Sequence, residues 1–215
     1  MTYLEAVNRV LIKLREDEVT TVVEDSYSKL IGIFVNDAYE IIADSWDWTG
    51  FRASIEITTV PNQSTYSLTG FTPRSKILYV NNETQNVEVY QESLQRTRYL
   101  ALGTNNASGT VSRFSLANQD ANGDLQIRFS QTPSAAEVFT VYGVRRPGNL
   151  TADSEVLALS SLAVVQWAFA FALRERGETG GQNAMEQFVY AKDAVDSAIA
   201  LDANQHPEEL IWTVV

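Results

Sequence analysis

The chain has 215 residues, with 16 basic and 27 acidic side chains for a net charge of −11, no cysteine and a single histidine. These counts exclude disulfides, cysteine-ligated zinc, iron–sulfur clusters, thiol nucleophiles and any multi-histidine metal centre, since His206 stands alone. A hydrophobic content of 45% suits a globular fold, and the acidity argues against an outward nucleic-acid-binding surface, because phosphates are repelled.

The opening MTYLEAVNRVLIKLRED lacks a basic start followed by an apolar run, so no signal peptide is expected. The longest apolar stretch, Leu157 to Leu173, is interrupted by Ser160, Ser161 and Gln166 and does not read as a membrane span. Asn62, Asn82, Asn106 and Asn149 open Asn-x-Ser/Thr sequons, which carry no weight without a secretory signal.

In chain order, Thr2 and Glu5 have capping-box spacing, and Leu4, Val7, Leu11 and Leu14 form one apolar stripe, so a first amphipathic helix is predicted up to the polar run Arg15-Glu16-Asp17-Glu18. A second starts at Asp25 or Ser26, buries Tyr27, Leu30, Phe34, Ala38, Ile41 and Ile42, and runs to Trp46 and Trp48. The period then shortens. Arg52 to Val60 alternates, Pro61-Asn62 reads as a turn, Tyr66 to Leu68 returns, and Ile77 to Val80 and Val87 to Tyr90 are further strands. Gln91 to Leu102 is either a short helix or irregular. Gly103 to Gly109 is a polar loop. Val111 to Leu116 and Leu125 to Phe129 form a hairpin around Asn122-Gly123, both of which tolerate positive φ, and Val138 to Arg146 is the last strand. Leu162, Val165, Phe169 and Leu173 then mark a helix apolar nearly all round, closed by Gly177. After Gly180-Gly181, Ala184, Phe188, Ala191, Val195 and Ile199 stripe a fourth, and Pro207 opens a tail, PEELIWTVV.

This order predicts an α+β fold: a four-helix bundle from both chain ends with an inserted, mostly antiparallel β module. The expected boundaries are 1–49 and 151–203 for the two bundle halves, 50–150 for the β module and 204–215 for an extended tail, because two helix pairs bury each other's stripes better than either does alone.

Leu4-x-x-x-Asn8-Arg9-Val10-Leu11 with Leu14-Arg15-Glu16, then Val35-Asn36-Asp37-Ala38, Trp46-Asp47-Trp48, and Thr58-Thr59-Val60 leading into Ser64-Thr65-Tyr66-Ser67-Leu68 resemble phage head-to-tail adaptor proteins, also called head completion or tail tubular A-like proteins. The resemblance implies a virion-neck structural protein, made in the host cytoplasm, that forms a homo-oligomeric, dodecameric ring beneath the portal protein. It also implies docking of a downstream tail or neck protein, double-stranded DNA only passing through the channel, and no membrane. It implies as well that the C-terminal segment reaches the portal, a role carried onto residues 207–215 by position alone.

Five of the last six residues, Leu210, Ile211, Trp212, Val214 and Val215, are apolar. Leaving them in water forfeits about 1.5–3 kcal/mol for each large one. They either fold back on their own subunit or strap into a neighbour or the portal, and their alternation favours an extended segment. Asn105, Asn106, Asp120 and Asn122 mark loop tips suited to docking a tail component. Net acidity fits a channel along which DNA slides, and equally fits plain solubility.

No catalytic, cofactor-binding or metal-binding residue and no cofactor are expected, for there is no GxSxG, HExxH, Walker or dinucleotide fingerprint. Glu24 with Asp25, and Asp44 with Asp47, are the carboxylate pairs a hydrolase would need, but they read better as a helix cap and an exposed helix end. Trp46 and Trp48 read as packing at a helix-to-strand junction. Arg145-Arg146 and Arg96-x-Arg98 read as ion-pair partners across a subunit interface or as solvated charge. A tail or baseplate module that recognises carbohydrate and a cell-wall hydrolase are the alternatives to the adaptor.

Overall fold

The computed structural model describes residues 1–102, 111–177 and 182–205. The chain divides into two compact units, Met1–Gly50 with Pro147–Val215, and Phe51–Arg146.

The first unit holds α1 (Tyr3–Lys13), α2 (Ser26–Ser45), α4 (Ser161–Glu175) and α5 (Gln182–Ala203). Helix α1 starts at a capping box: the Thr2 hydroxyl accepts the Glu5 amide at 3.2 Å and the Glu5 carboxylate accepts the Thr2 amide at 2.9 Å. Its buried face is Tyr3, Ala6, Val7, Val10, Leu11 and Leu14. Two of its next free amides, Tyr3 and Leu4, donate to the carbonyls of Glu155 and Asp153 in the segment returning towards α4, and Leu157 donates to the Met1 carbonyl. Helix α2 is capped by Asp25, whose carboxylate accepts the Ser28 amide at 2.6 Å.

Two asparagines act as backbone mimics. Asn8 accepts from the Val19 amide at 3.0 Å and donates to the Val19 carbonyl at 2.9 Å, pinning the α1–α2 connection. Asn36 accepts from the Leu150 amide at 2.8 Å and donates to its carbonyl at 3.1 Å, pinning the returning chain to α2. Each side chain satisfies both polar groups of one residue where water is largely excluded.

The second unit holds β1 (Arg52–Thr58), β2 (Thr65–Ser67), β3 (Lys76–Asn82), β4 (Val87–Gln91), α3 (Leu94–Leu102), β5 (Arg113–Gln119), β6 (Leu125–Phe129) and β7 (Val138–Val144). The strands form one nearly closed, barrel-like sheet in the order β1-β7-β3-β4-β5-β6-β2. Every pairing is antiparallel except β4 with β5, which are joined through α3. The alternation read in β1 sets its register: Arg52, Ser54, Glu56 and Thr58 are exposed while Ile57 is buried. The two edge strands, β1 and β2, are sequence neighbours, and Tyr66 fastens their connection by accepting the Val60 amide at 3.0 Å and donating to the Gln63 carbonyl at 2.8 Å. Phe129 sits between Tyr66 and Phe139, at ring-centroid distances of 5.6 and 4.6 Å, in a core that also contains Leu68, Phe71, Phe114, Ile127 and Val141.

The expected four-helix bundle with an appended β module does not form. Among the described residues there are five α-helices, one of them (α3) within the β unit, and the seven-stranded sheet is a large unit with its own core. A bundle needs each helix to bury a stripe against two neighbours. Here α4 is central: its Ala163, Val164, Val165, Ala168, Ala170, Phe171 and Ala172 are buried, α1, α2 and α5 all pack on it, and α1 also packs on α2. Helix α5 rests chiefly on α4 and leaves Met185, Val189, Tyr190 and Leu201 exposed. Leu162, expected on the buried face of α4, is exposed as well.

Two substitutions test these contacts. Asn36→Ala leaves both polar groups of Leu150 unpaired and should cost about 1–3 kcal/mol in urea denaturation. Gly143, buried in β7, has the Lys76 carbonyl oxygen 2.5 Å and a Phe71 ring carbon 2.7 Å from where a Cβ would stand. Backbone cannot yield as a flexible side chain does, so Gly143→Ala should destabilise by about 1–3 kcal/mol in the same assay.

Candidate docking surfaces

The apolar terminus Leu210, Ile211, Trp212, Val214 and Val215 lies outside the described residues, as do Asn105, Asn106 and His206. The other two predicted loop positions, Asp120 and Asn122, fall in the β5–β6 turn. Asp120 holds that turn together: its carboxylate accepts the Asn122 amide at 2.8 Å and the Asp124 amide at 3.0 Å, while its own amide donates to the Asp124 carbonyl at 2.9 Å. The Asp124 carboxylate in turn accepts the Gly70 amide at 2.9 Å. Only the glycine of the Asn122-Gly123 pair has positive φ, at 85°. The turn is therefore an aspartate-closed loop in place of a tight two-residue hairpin, and it presents Ala121 and Asn122 as its exposed tip.

The tryptophans are structural. Trp48 is 5% exposed and donates to the Ile42 carbonyl at 2.8 Å. Trp46 donates to the Asp202 carboxylate at 3.0 Å, and the same carboxylate accepts the Thr49 amide at 3.1 Å. This ties the end of α2 to the last turn of α5. Nothing local in the sequence marks Asp202 for that task, since its partners lie 153 and 156 residues away.

Beside this clamp the helical unit carries a groove of about 300 Å3, lined by Trp48, Ala158, Leu159, Leu162, Ala198 and Leu201 among others. Elsewhere on the same unit Ile12 of α1 is 52% exposed, Ile33 and Ile41 of α2 are 56% and 46% exposed, and Met185, Val189 and Tyr190 of α5 are 60–73% exposed. These side chains sit on helix faces that no other described element covers.

The carboxylate pairs are accounted for by local structure. Glu24 accepts the Thr20 amide at 2.6 Å and its hydroxyl at 2.8 Å, and Asp25 caps α2. Backbone hydrogen bonds from Thr20 and from Ser28 hold the two carboxyls below their ordinary values, the opposite of what a general acid at neutral pH needs. Asp44 is exposed near the end of α2 and Asp47 half-buried beyond it. Among the described residues no three His, Cys, Asp or Glu side chains are grouped to hold a metal, and none of the helices is long and apolar enough to cross a membrane. Of the arginines, Arg146 donates to the Arg74 carbonyl at 2.6 Å, Arg145 lies against the backbone of Gly70, and Arg96 and Arg98 are exposed on α3.

The described residues thus offer structural carboxylates and, on the helical unit, uncovered apolar helix faces. The model of the SU10 adaptor protein family matches residues 1–209. The chain belongs to the SU10 adaptor protein family, a family of structural phage head-to-tail adaptors of the virion neck. No curated protein matches the sequence.

The Asp120 turn gives an acid-stability prediction. Hydrogen bonds from the Asp124 amide, and then from Asn122, depress the Asp120 carboxyl below its ordinary value. A depressed folded pKa contributes stability above the unfolded value, near pH 4, that is lost as pH falls through the folded one. Asp120→Asn should therefore lower the melting temperature at pH 7, where the ionised carboxylate contributes, and flatten its fall below pH 4, so that the two proteins converge at low pH.

Proposed function

We propose that the chain is a head completion, tail tubular A-like connector. Copies assemble as a dodecameric ring beneath the portal in the host cytoplasm, the tail or neck protein docks on the opposite side, and DNA leaves through the central channel. The observation that carries this reading is the set of exposed apolar side chains on α1, α2 and α5 in a member of a structural adaptor family. Ile12, Ile33, Ile41, Val189 and Tyr190 suit contacts with further copies, because apolar helix faces of this kind are stabilised by removal from water.

In this reading Leu210, Ile211, Trp212, Val214 and Val215 strap the ring to the portal, with the aromatic and branched side chains as anchors in a groove. Asn105 and Asn106, with Asn122 on the rigid Asp120 turn, meet the tail component. The net charge of −11 keeps phosphates from gripping the channel wall.

Purified protein mixed with its portal should co-sediment, and a chain lacking residues 207–215 should not. Failure of the full-length protein to sediment with the portal, together with normal virion assembly by the shortened chain, would remove the strap from the account.

A further inference from the structure

A second cleft on the helical unit runs beside the exposed face of α1. It measures about 620 Å3 and is lined by Glu5, Asn8, Arg9, Glu18 and Ile12 among others. The lining is mostly polar, so an aliphatic side chain placed in it would cover hydrogen-bonding groups without replacing their water. A tyrosine suits it better: the ring lies against Ile12, and the hydroxyl serves the polar wall as donor or acceptor.

Two exposed ridges carry matching chemistry. On α1, Glu5, Arg9, Ile12 and Lys13 recur at helical spacing and are all exposed. The Glu5 carboxylate already accepts the Thr2 amide, whereas the Lys13 ammonium donates to the neutral Gln166 amide at 2.6 Å and keeps its charge. The outward charge of this ridge is therefore cationic around Ile12. On α5, Glu186, Val189, Tyr190, Asp193 and Ser197 form the corresponding exposed ridge, with Asp196 at its edge. The two fit in one orientation. Laid antiparallel with Arg9 on Asp193, they put Ile12 over Val189 and Tyr190 and bring Lys13 towards Glu186. Laid parallel, the same ion pair sets Ile12 against Asp196 and Ser197. The rival is α2, whose exposed stripe also joins apolar and acidic residues in Ile33, Asp37 and Ile41. It offers isoleucines to a polar cleft, and Arg174 of its own chain lines the same hollow as Asp37.

We infer that α5 of one copy packs antiparallel on α1 of the next, with Tyr190 seated in the α1 cleft and Asp193 paired with Arg9. Both ridges are exposed in the single chain, so the contact joins two copies. It is heterologous: each copy gives α1 to one neighbour and α5 to another, and such a contact propagates until its rotation closes a ring. The inference rests on the ring reading above and names the faces that meet in it.

Charge reversal tests the pairing. Arg9→Glu alone sets two acids against each other at every contact, and Asp193→Arg alone sets two cations. Mixed, the two variants restore an opposite-charge pair at every contact by alternating. Full-length protein is incubated with its portal at low salt, where surface charges are least screened, and the copies bound per portal are read by native mass spectrometry. Each variant alone should load about fivefold fewer copies than the unsubstituted chain, and the equimolar mixture should recover, which also shows that both variants fold. Equal loading in every case, or no recovery on mixing, would overturn the pairing while the ring stands. Recovery of Arg9→Glu by Asp37→Arg in place of Asp193→Arg would overturn it in favour of α2. A portal that carries no more than a single unsubstituted copy would remove the ring, and the pairing with it.

Discussion

The helical unit depends on how the returning chain is joined to its front. The backbone leaves at Gly50 and comes back at Pro147, and the stretch before α4 carries amides and carbonyls that need partners wherever water is excluded. Glu155 takes the Thr151 and Ala152 amides within the stretch, and the partners that tie it down lie in the first forty residues. Asn36 takes both polar groups of Leu150, the exposed amides at the start of α1 take the carbonyls of Asp153 and Glu155, Met1 takes the Leu157 amide, and the Tyr39 hydroxyl takes the Ala158 amide at 3.3 Å. Helix α4 is apolar and has no side-chain hydrogen bond at its N-cap, so its placement comes from this stitched segment and from packing, not from a signal of its own.

The segments through which the sequence resembles the adaptor family contain these joints. Asn8 lies in the first and Asn36 in the second, Trp46 and Trp48 make up most of the third, and Tyr66 lies in the last. Each supplies a hydrogen bond that fixes a connection: α1 to α2, α2 to the returning chain, α2 to α5, and β1 to β2. A family-level match without a catalytic signature is what such residues produce, because their chemistry is architectural.

What could be read directly was local. The Thr2–Glu5 box, the Asp25 cap and the alternation of β1 each rest on residues within a few positions of one another, so the code and the contact coincide. The Asn36–Leu150 pairing spans 114 residues, and no short pattern announces it. Apolar stripes reveal that a helix face is buried without revealing against what, and this is why stripes on four helices suggested a bundle when α4 takes the centre and α5 keeps one side open. The strand order was equally hidden. Val138 to Val144 reads as one more strand, yet it is the central partner of both β1 and β3. The groove at α5 had no signature because its lining comes from three separated stretches of chain.

Acidity and exposed apolar surface act against each other in such a protein. At a net charge of −11 two copies repel, but at physiological ionic strength that repulsion is screened beyond about 8 Å. It therefore acts only at close range, where apolar burial has to outweigh it. Scattered isoleucines on separate helices bury little area in a single chance collision, whereas a template that aligns several copies lets all of them be buried together. An acidic chain with uncovered helix faces is thus suited to assembling on an aligning template rather than by chance collision.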